Sequence, residues 1–144
     1  MIVYADSSFL VRIYAPHTDS RHAVRWLEKA REPLPYTLLH RHEIRTALRL
    51  RVFRREVDSI QCREAFQEIE SDLADEILVH VPAPWTDAFR AAEELSSKHV
   101  PTLGVRSLDL LHVGLAIAMK SEQFLTFDAR QRALANAAGL RVDF

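Results

Sequence analysis

Short apolar runs alternate with helical stripes along the whole chain, and that alternation predicts an α/β protein. Ile2–Ala5 reads as a buried strand ended by Asp6, and Ser7–Tyr14 as a short helix stopped near Pro16. Ala23, Val24, Leu27 and Ala30 fall at helical spacing and predict a helix over Ser20–Ala30. Pro33–Thr37 reads as a turn feeding a very short strand, and Leu38–Phe53 as a helix. Asp58 with Gln61 three residues on has the pattern of a capping box, and Cys62, Phe66, Ile69 and Leu73 supply the stripe of the helix that follows. Ile77–Val81 reads as a strand closed by Pro82. Thr86–Lys98 reads as a helix carrying Phe89, Ala92 and Leu95, and Val100–Val105, with Pro101 and Gly104, as a loop. Ser107–Lys120 is expected to be helical, Gln123–Phe127 a strand ended by Asp128, and Ala129–Ala138 a helix with Gly139 as its C-terminal cap. Leu140–Phe144 closes the pattern as a last strand. Strands separated by helices imply right-handed crossovers and a parallel sheet covered on both faces, a three-layer α/β/α domain. Ligands in such folds bind beyond the carboxyl ends of the strands.

Composition narrows the picture. The chain has 144 residues, one domain's length, with no repeat, low-complexity segment or linker long enough to divide it. One cysteine, Cys62, excludes an internal disulfide and suits a reducing cytoplasm. The start, Met1–Asp6, lacks the basic and apolar segments of a signal peptide, and no stretch approaches the ~20 apolar residues that span a bilayer. The expected location is the cytoplasm, away from membranes. Net charge is −1, from 19 basic and 20 acidic residues. Non-specific nucleic-acid binders are usually strongly basic. If this protein handles nucleic acid, its positive charge must be local, and binding must lean on a metal ion or a partner subunit.

Four acids are the candidate chemistry. Asp6 and Asp128 each follow a strand, at the carboxyl edge of the sheet. Taken singly, each also fits a helix N-cap, the simpler reading. Glu43 shares helical spacing with Leu39, Ala47 and Leu50, opposite the stripe Arg41, Arg45 and Arg49. A glutamate on a core-facing stripe needs a partner, and a buried arginine pair is the alternative to a functional site. Asp109 lies in the first turn of its helix, where the macrodipole favours a carboxylate, but Val105, Val113 and Ala116 share its face. Were the four to converge about 4–6 Å apart, each pair would repel by roughly 3 kcal/mol at an effective dielectric near 20. Protonation or a bound cation must then relieve the repulsion. Oxygen-only ligands with retained waters are the preference of Mg²⁺ or Mn²⁺. Zinc is disfavoured, because there is no cysteine cluster and no metal-ligand spacing among the seven histidines. A carboxylate-held Mg²⁺ can activate water for attack on a phosphodiester.

At these residues the chain resembles the PIN-domain ribonucleases, and among them the VapC-type toxins of toxin–antitoxin pairs. The resemblance spans essentially the whole chain. Ile2–Ser8 is similar to the family's apolar strand followed by Asp-x-Ser, and Leu39–Leu48 (LHRHEIRTAL) to its glutamate-bearing helix. Arg106–Ala116 (RSLDLLHVGLA) is similar to its Asp-x-x-His helix, and Phe124–Arg130 (FLTFDAR), followed by Ala137–Leu140, to its closing strand–Asp–helix segment. No motif position departs from the family pattern. The resemblance implies a five-stranded parallel sheet, dependence on Mg²⁺ or Mn²⁺, and endonucleolytic cleavage of RNA. It implies that Asp6, Glu43 and Asp109 are the core metal ligands and Asp128 a more variable fourth acid, with Glu43 and Asp128 acting directly or through water. Ser8 and Thr126 match polar positions that help hold ligands or water. Arg106 and His112 flank the site by position, although His112 fits a structural histidine equally well. A homodimer and a cognate antitoxin that blocks the site are also implied.

Other readings stay open at this stage. The chain could be a housekeeping ribonuclease, or a non-catalytic interaction module on the same fold. A phospho-acceptor receiver domain is disfavoured, because the late strand is followed by Asp128 and not by lysine. The cluster Arg41, Arg45, Arg49, Arg51, Arg54 and Arg55 resembles an RNA patch, yet its main stripe faces away from Glu43 and reads better as a solvated or partner-binding face.

Overall fold

The computed structural model describes residues 2–144; Met1, which the leader reading included, lies outside them. Among the described residues seven helices and four short strands alternate: β1 (Val3–Ala5), α1 (Ser7–Tyr14), α2 (Ser20–Lys29), β2 (Leu34–Tyr36), α3 (Leu38–Phe53), α4 (Ser59–Ala74), β3 (Leu78–His80), α5 (Trp85–Leu103), α6 (Ser107–Ala118), β4 (Gln123–Leu125) and α7 (Ala129–Ala137). No helix among them is long and apolar enough to cross a membrane. The chain divides into two compact units, one made of the chain up to Asp6 together with Pro82–Phe144, the other of Ser7–Val81.

The first unit is built on β1 and β4, paired parallel with Val3 opposite Gln123, Tyr4 opposite Phe124 and Ala5 opposite Leu125. Tyr4 and Phe124 stack with ring centroids 5.5 Å apart, and both are fully buried. Parallel pairing puts the carboxyl ends of both strands at one edge, with Asp6 beyond one and Thr126 beyond the other. α5, α6 and α7 pack on one another in this unit. α5 meets α6 at Gly114, where an added Cβ would lie 2.5 Å from the Ala88 carbonyl oxygen. α7 ends as the sequence suggests: Gly139 is left-handed (φ 88°), its N–H donates to the Asn136 carbonyl, and that of Leu140 donates to Ala135.

In the second unit, β2 and β3 pair parallel, with Leu34, Pro35 and Tyr36 opposite Leu78, Val79 and His80. α1 packs against α2, α3 and α4. The Asp58–Gln61 capping box forms at both of its hydrogen bonds. A second box opens α3, with His40 standing where glutamate is usual: its Nδ1 accepts from the Thr37 N–H at 3.0 Å.

The strands are short, and three expected elements need correction. Among the described residues the strands number four, of three residues each, in two parallel pairs. The closing segment makes a single parallel bridge, Arg141 to Gln123, because only the Phe124 and Arg141 amides reach across. β4 ends early because the Thr126 hydroxyl accepts the Asp128 N–H and turns the chain into α7. α5 runs through Pro101 and stops at left-handed Gly104 (φ 63°), so the glycine, and not the proline, ends it. Only one helical donor is lost at Pro101, in the last turn.

Candidate active site

In the first unit the acids are joined through one threonine. Asp6, 2% exposed, ends β1, and its N–H donates to the Leu125 carbonyl at 3.1 Å. Thr126, fully buried beyond β4, donates its hydroxyl to Asp6 Oδ2 at 2.6 Å and accepts the Asp128 N–H at 3.0 Å. One hydroxyl therefore fixes a carboxylate at one strand end and the helix start at the other. Asp128 caps α7, Oδ1 accepting from the Gln131 N–H at 2.9 Å, so the capping reading of Asp128 holds. Buried Gln131 then reaches the Asp109 carbonyl from Nε2 at 3.3 Å and ties α7 to the first turn of α6.

Asp109 is half-buried, on the face it shares with buried Val105, Val113 and Ala116. With Asp128 it lines a cavity of about 490 Å³, completed by Gly104, Arg106, Ala129 and Arg130. Arg106, expected to flank the acids, and Arg130, which no sequence motif singled out, both lie on its wall. His112 is buried, its Nδ1 sharing a 2.7 Å hydrogen bond with the Tyr4 hydroxyl. The Tyr4 bond supports the structural reading of His112.

Glu43 belongs to the second unit. The buried stripe of α3 is His40, Ile44 and Leu48, one step round from the stripe expected. Glu43, half-buried, lies with Ala47 and Leu50 on the adjoining face, lining a cavity of about 350 Å³. Ser7, the residue after Asp6 in the chain, donates its hydroxyl to Glu43 Oε1 at 2.8 Å. Ser8, the expected auxiliary, is exposed on the wall of the same cavity. The signal for Ser7 was its place at the start of a helix, after a strand-ending acid.

The arginine cluster divides in two. Arg41 and Arg45 both reach Glu70 of α4, at 3.0 and 2.9 Å, and Arg45 and Arg49 lie over the Phe66 ring. This stripe holds α3 to α4. Arg51 and Arg54, with Arg12 and His17, instead line the cavity of Glu43. Arg51 donates to the Pro16 carbonyl at 2.7 Å, while Arg12 donates to His17 and pairs with Asp19. Both therefore pin the α1–α2 connection.

The donor chemistry of these acids is that of a hard cation: carboxylate oxygens, with neither thiolate nor imidazole on the wall of the Asp109–Asp128 cavity. Among the described residues no group of three or more Asp, Glu, His or Cys side chains could by itself hold a metal ion. Mg²⁺ does not need such a cage, since it commonly takes one or two carboxylates, several waters and substrate phosphates. The residues present fit an ion held in that open way.

A family model described as PIN domain matches residues 3–137 and so spans both units. A sequence search among curated proteins finds no match. Among solved structures the chain is similar in fold to Mycobacterium tuberculosis VapC20, described as a Sarcin-Ricin loop cleaving toxin, with a TM-score of 0.69, 14% identity, and 96% of this chain and 95% of that one covered. It is equally similar to FitAcB from Neisseria gonorrhoeae, with a TM-score of 0.69, 17% identity, and 99% and 97% covered.

Proposed function

The chain belongs to the PIN domain family, and from that membership we propose that it is a Mg²⁺- or Mn²⁺-dependent endoribonuclease, the toxin of a toxin–antitoxin pair. The observation that carries the reading is the Thr126 hydroxyl, which joins the Asp6 carboxylate to the start of the Asp128-capped helix at one strand edge. A buried carboxylate at that edge is costly as a mere structural element.

Asp6 and Asp109 would hold the ion directly, and Glu43 and Asp128 directly or through water. Such an ion supplies an activated water and offsets charge developing on the phosphoryl oxygens. The chain's own groups do the positioning. Thr126 fixes the Asp6 carboxylate, Gln131 fixes α7 on the turn bearing Asp109, and Ser7 fixes Glu43. Groups locked in this way lose little orientation when substrate arrives. The joint service of the four acids in one reaction rests on the order of the family's motifs along the chain.

The fold likeness to a toxin that cleaves the sarcin–ricin loop supports RNA as substrate. The reading carries with it a cytoplasmic location, a homodimer, a cognate antitoxin, and joining of the strand pairs in the family's five-stranded sheet. RNA incubated with the protein should be cut with Mg²⁺ or Mn²⁺ and left intact with chelator. Intact RNA in every metal, together with no saturable Mn²⁺ binding by calorimetry, would instead mean a non-catalytic interaction module.

A further inference from the structure

The cavity beside Asp109 and Asp128 holds both signs of charge, and they do not neutralise each other. Arg106 precedes α6 and Arg130 lies in the first turn of α7, so two different helix starts each bring an arginine to the wall of one cavity of about 490 Å³. Both arginines are exposed, and neither has a hydrogen-bond or ion-pair partner for its guanidinium among the described residues. Four arginines of the other unit are engaged within the fold. Arg41 and Arg45 are taken by Glu70, Arg12 by Asp19 and His17, and Arg51 by the Pro16 carbonyl.

Arginine next to aspartate in one cavity usually forms a bidentate pair. Here the Asp128 carboxylate has another task, its Oδ1 accepting from the α7 backbone. A cavity that presents two unpaired forks beside carboxylates matches a ligand of mixed charge: an anionic phosphodiester accompanied by a cation. The guanidinium fork suits phosphate oxygens in particular.

We propose that Arg106 and Arg130 form a clamp for one backbone phosphate of a nucleic-acid strand. Arg130 is thereby a substrate-positioning residue. The inference rests on the nuclease reading for its ligand. Because the contact is to phosphate, it carries no base sequence information and acts alike on RNA and DNA strands. It also supplies the local positive charge that a chain of net charge −1 needs.

The test is a salt titration of binding, followed by the fluorescence anisotropy of labelled single-stranded RNA and DNA oligonucleotides, with the full chain in chelator so that nothing is cut. For a single strand, each phosphate contact contributes about 0.7 to the slope of log affinity against log salt. Arg130→Ala and Arg106→Ala should each flatten the slope by about that amount, on both strands, while thermal melts stay unchanged because both side chains are exposed. Arg130→Lys should recover the slope through its charge, but not the full affinity, having no fork. Wild-type slopes in both alanine variants would overturn the clamp, as would a wild-type protein that binds neither strand. The clamp and the nuclease reading fail separately. Flattened slopes without metal-dependent cleavage leave the clamp standing and remove the enzyme, and cleavage with unaltered slopes does the reverse.

Discussion

At the scale of single residues, hydroxyl groups do much of the positioning. Thr126 is fully buried and serves two partners with one oxygen. Thr126→Val keeps its shape and removes both bonds. It should lower RNA cleavage by roughly 10–100-fold, the usual cost of losing a group that orients a metal ligand, and destabilise the fold by about 1–3 kcal/mol. Initial rates and urea denaturation read the two effects separately. Tyr14 shows a purely structural version. Burial first, and then its 2.6 Å bond to Asp72, push its phenol far above the ordinary range, so it stays protonated and donates at any working pH. Glu70 titrates in the opposite sense. The hydrogen bond from Arg41, aided by Arg45, holds its carboxyl below the ordinary value of 4.5. A lowered pKa stabilises the fold at neutral pH, and that contribution disappears as pH falls through the lowered value. Glu70 is half-exposed, which limits the effect to about 1 kcal/mol or less. Glu70→Gln should therefore be slightly less stable than wild type near neutrality, and the two should converge in acid denaturation.

Elements were legible where their signals are local. The Asp58–Gln61 box and the Gly139 stop both form as read. Three other helix ends use the same left-handed turn with Arg55, Glu76 and Lys120 in place of glycine, at φ 59°, 57° and 57°. Without glycine such ends leave little trace in a sequence. Lys120 donates to the Ile117 carbonyl and Ser121 to that of Ala116, closing α6 as Gly139 closes α7. A left-handed side-chain-bearing residue costs roughly 1–2 kcal/mol, and glycine's extra unfolded-state freedom returns 0.5–1 of that. Lys120→Gly should raise Tm by about 2–4 °C, measured by calorimetry. Gly114→Ala should act in the other direction, because its Cβ would meet the Ala88 carbonyl of α5. A loss of about 1–3 kcal/mol is expected in chemical denaturation. The helix through Pro101 was misread because proline in the final turn forfeits a single donor, which packing of α5 on α6 readily offsets.

At the scale of the molecule, the candidate acids are legible in the sequence, whereas the contacts that hold them are not. Strand-ending acids and helix-facing acids are marked by their position in local patterns, which makes Asp6, Asp109 and Asp128 candidates, Asp6 chiefly through the family's motif. What the pattern hid depends on long-range pairing. The threonine bond between residues 120 apart in sequence is one case. The Ser7 bond to Glu43 and the arrival of Arg130 beside Asp109 are others. The face of Glu43 was misjudged by one step, since Leu39 and Leu50 are apolar yet half-buried and exposed respectively. Periodicity reports apolar positions, and packing against α1 and α4 chose among them.

The central claim is that four carboxylates serve one metal-dependent reaction. The rate of RNA cleavage as a function of Mn²⁺ concentration, compared across Asp6→Asn, Glu43→Gln, Asp109→Asn and Asp128→Asn, tests it most directly. The first three should fall by at least about 100-fold, beyond the loss typical of an orienting neighbour. Asp128→Asn should fall less and recover at high Mn²⁺, because asparagine can still cap α7. Wild-type rates in Asp6→Asn or Asp109→Asn would contradict the account.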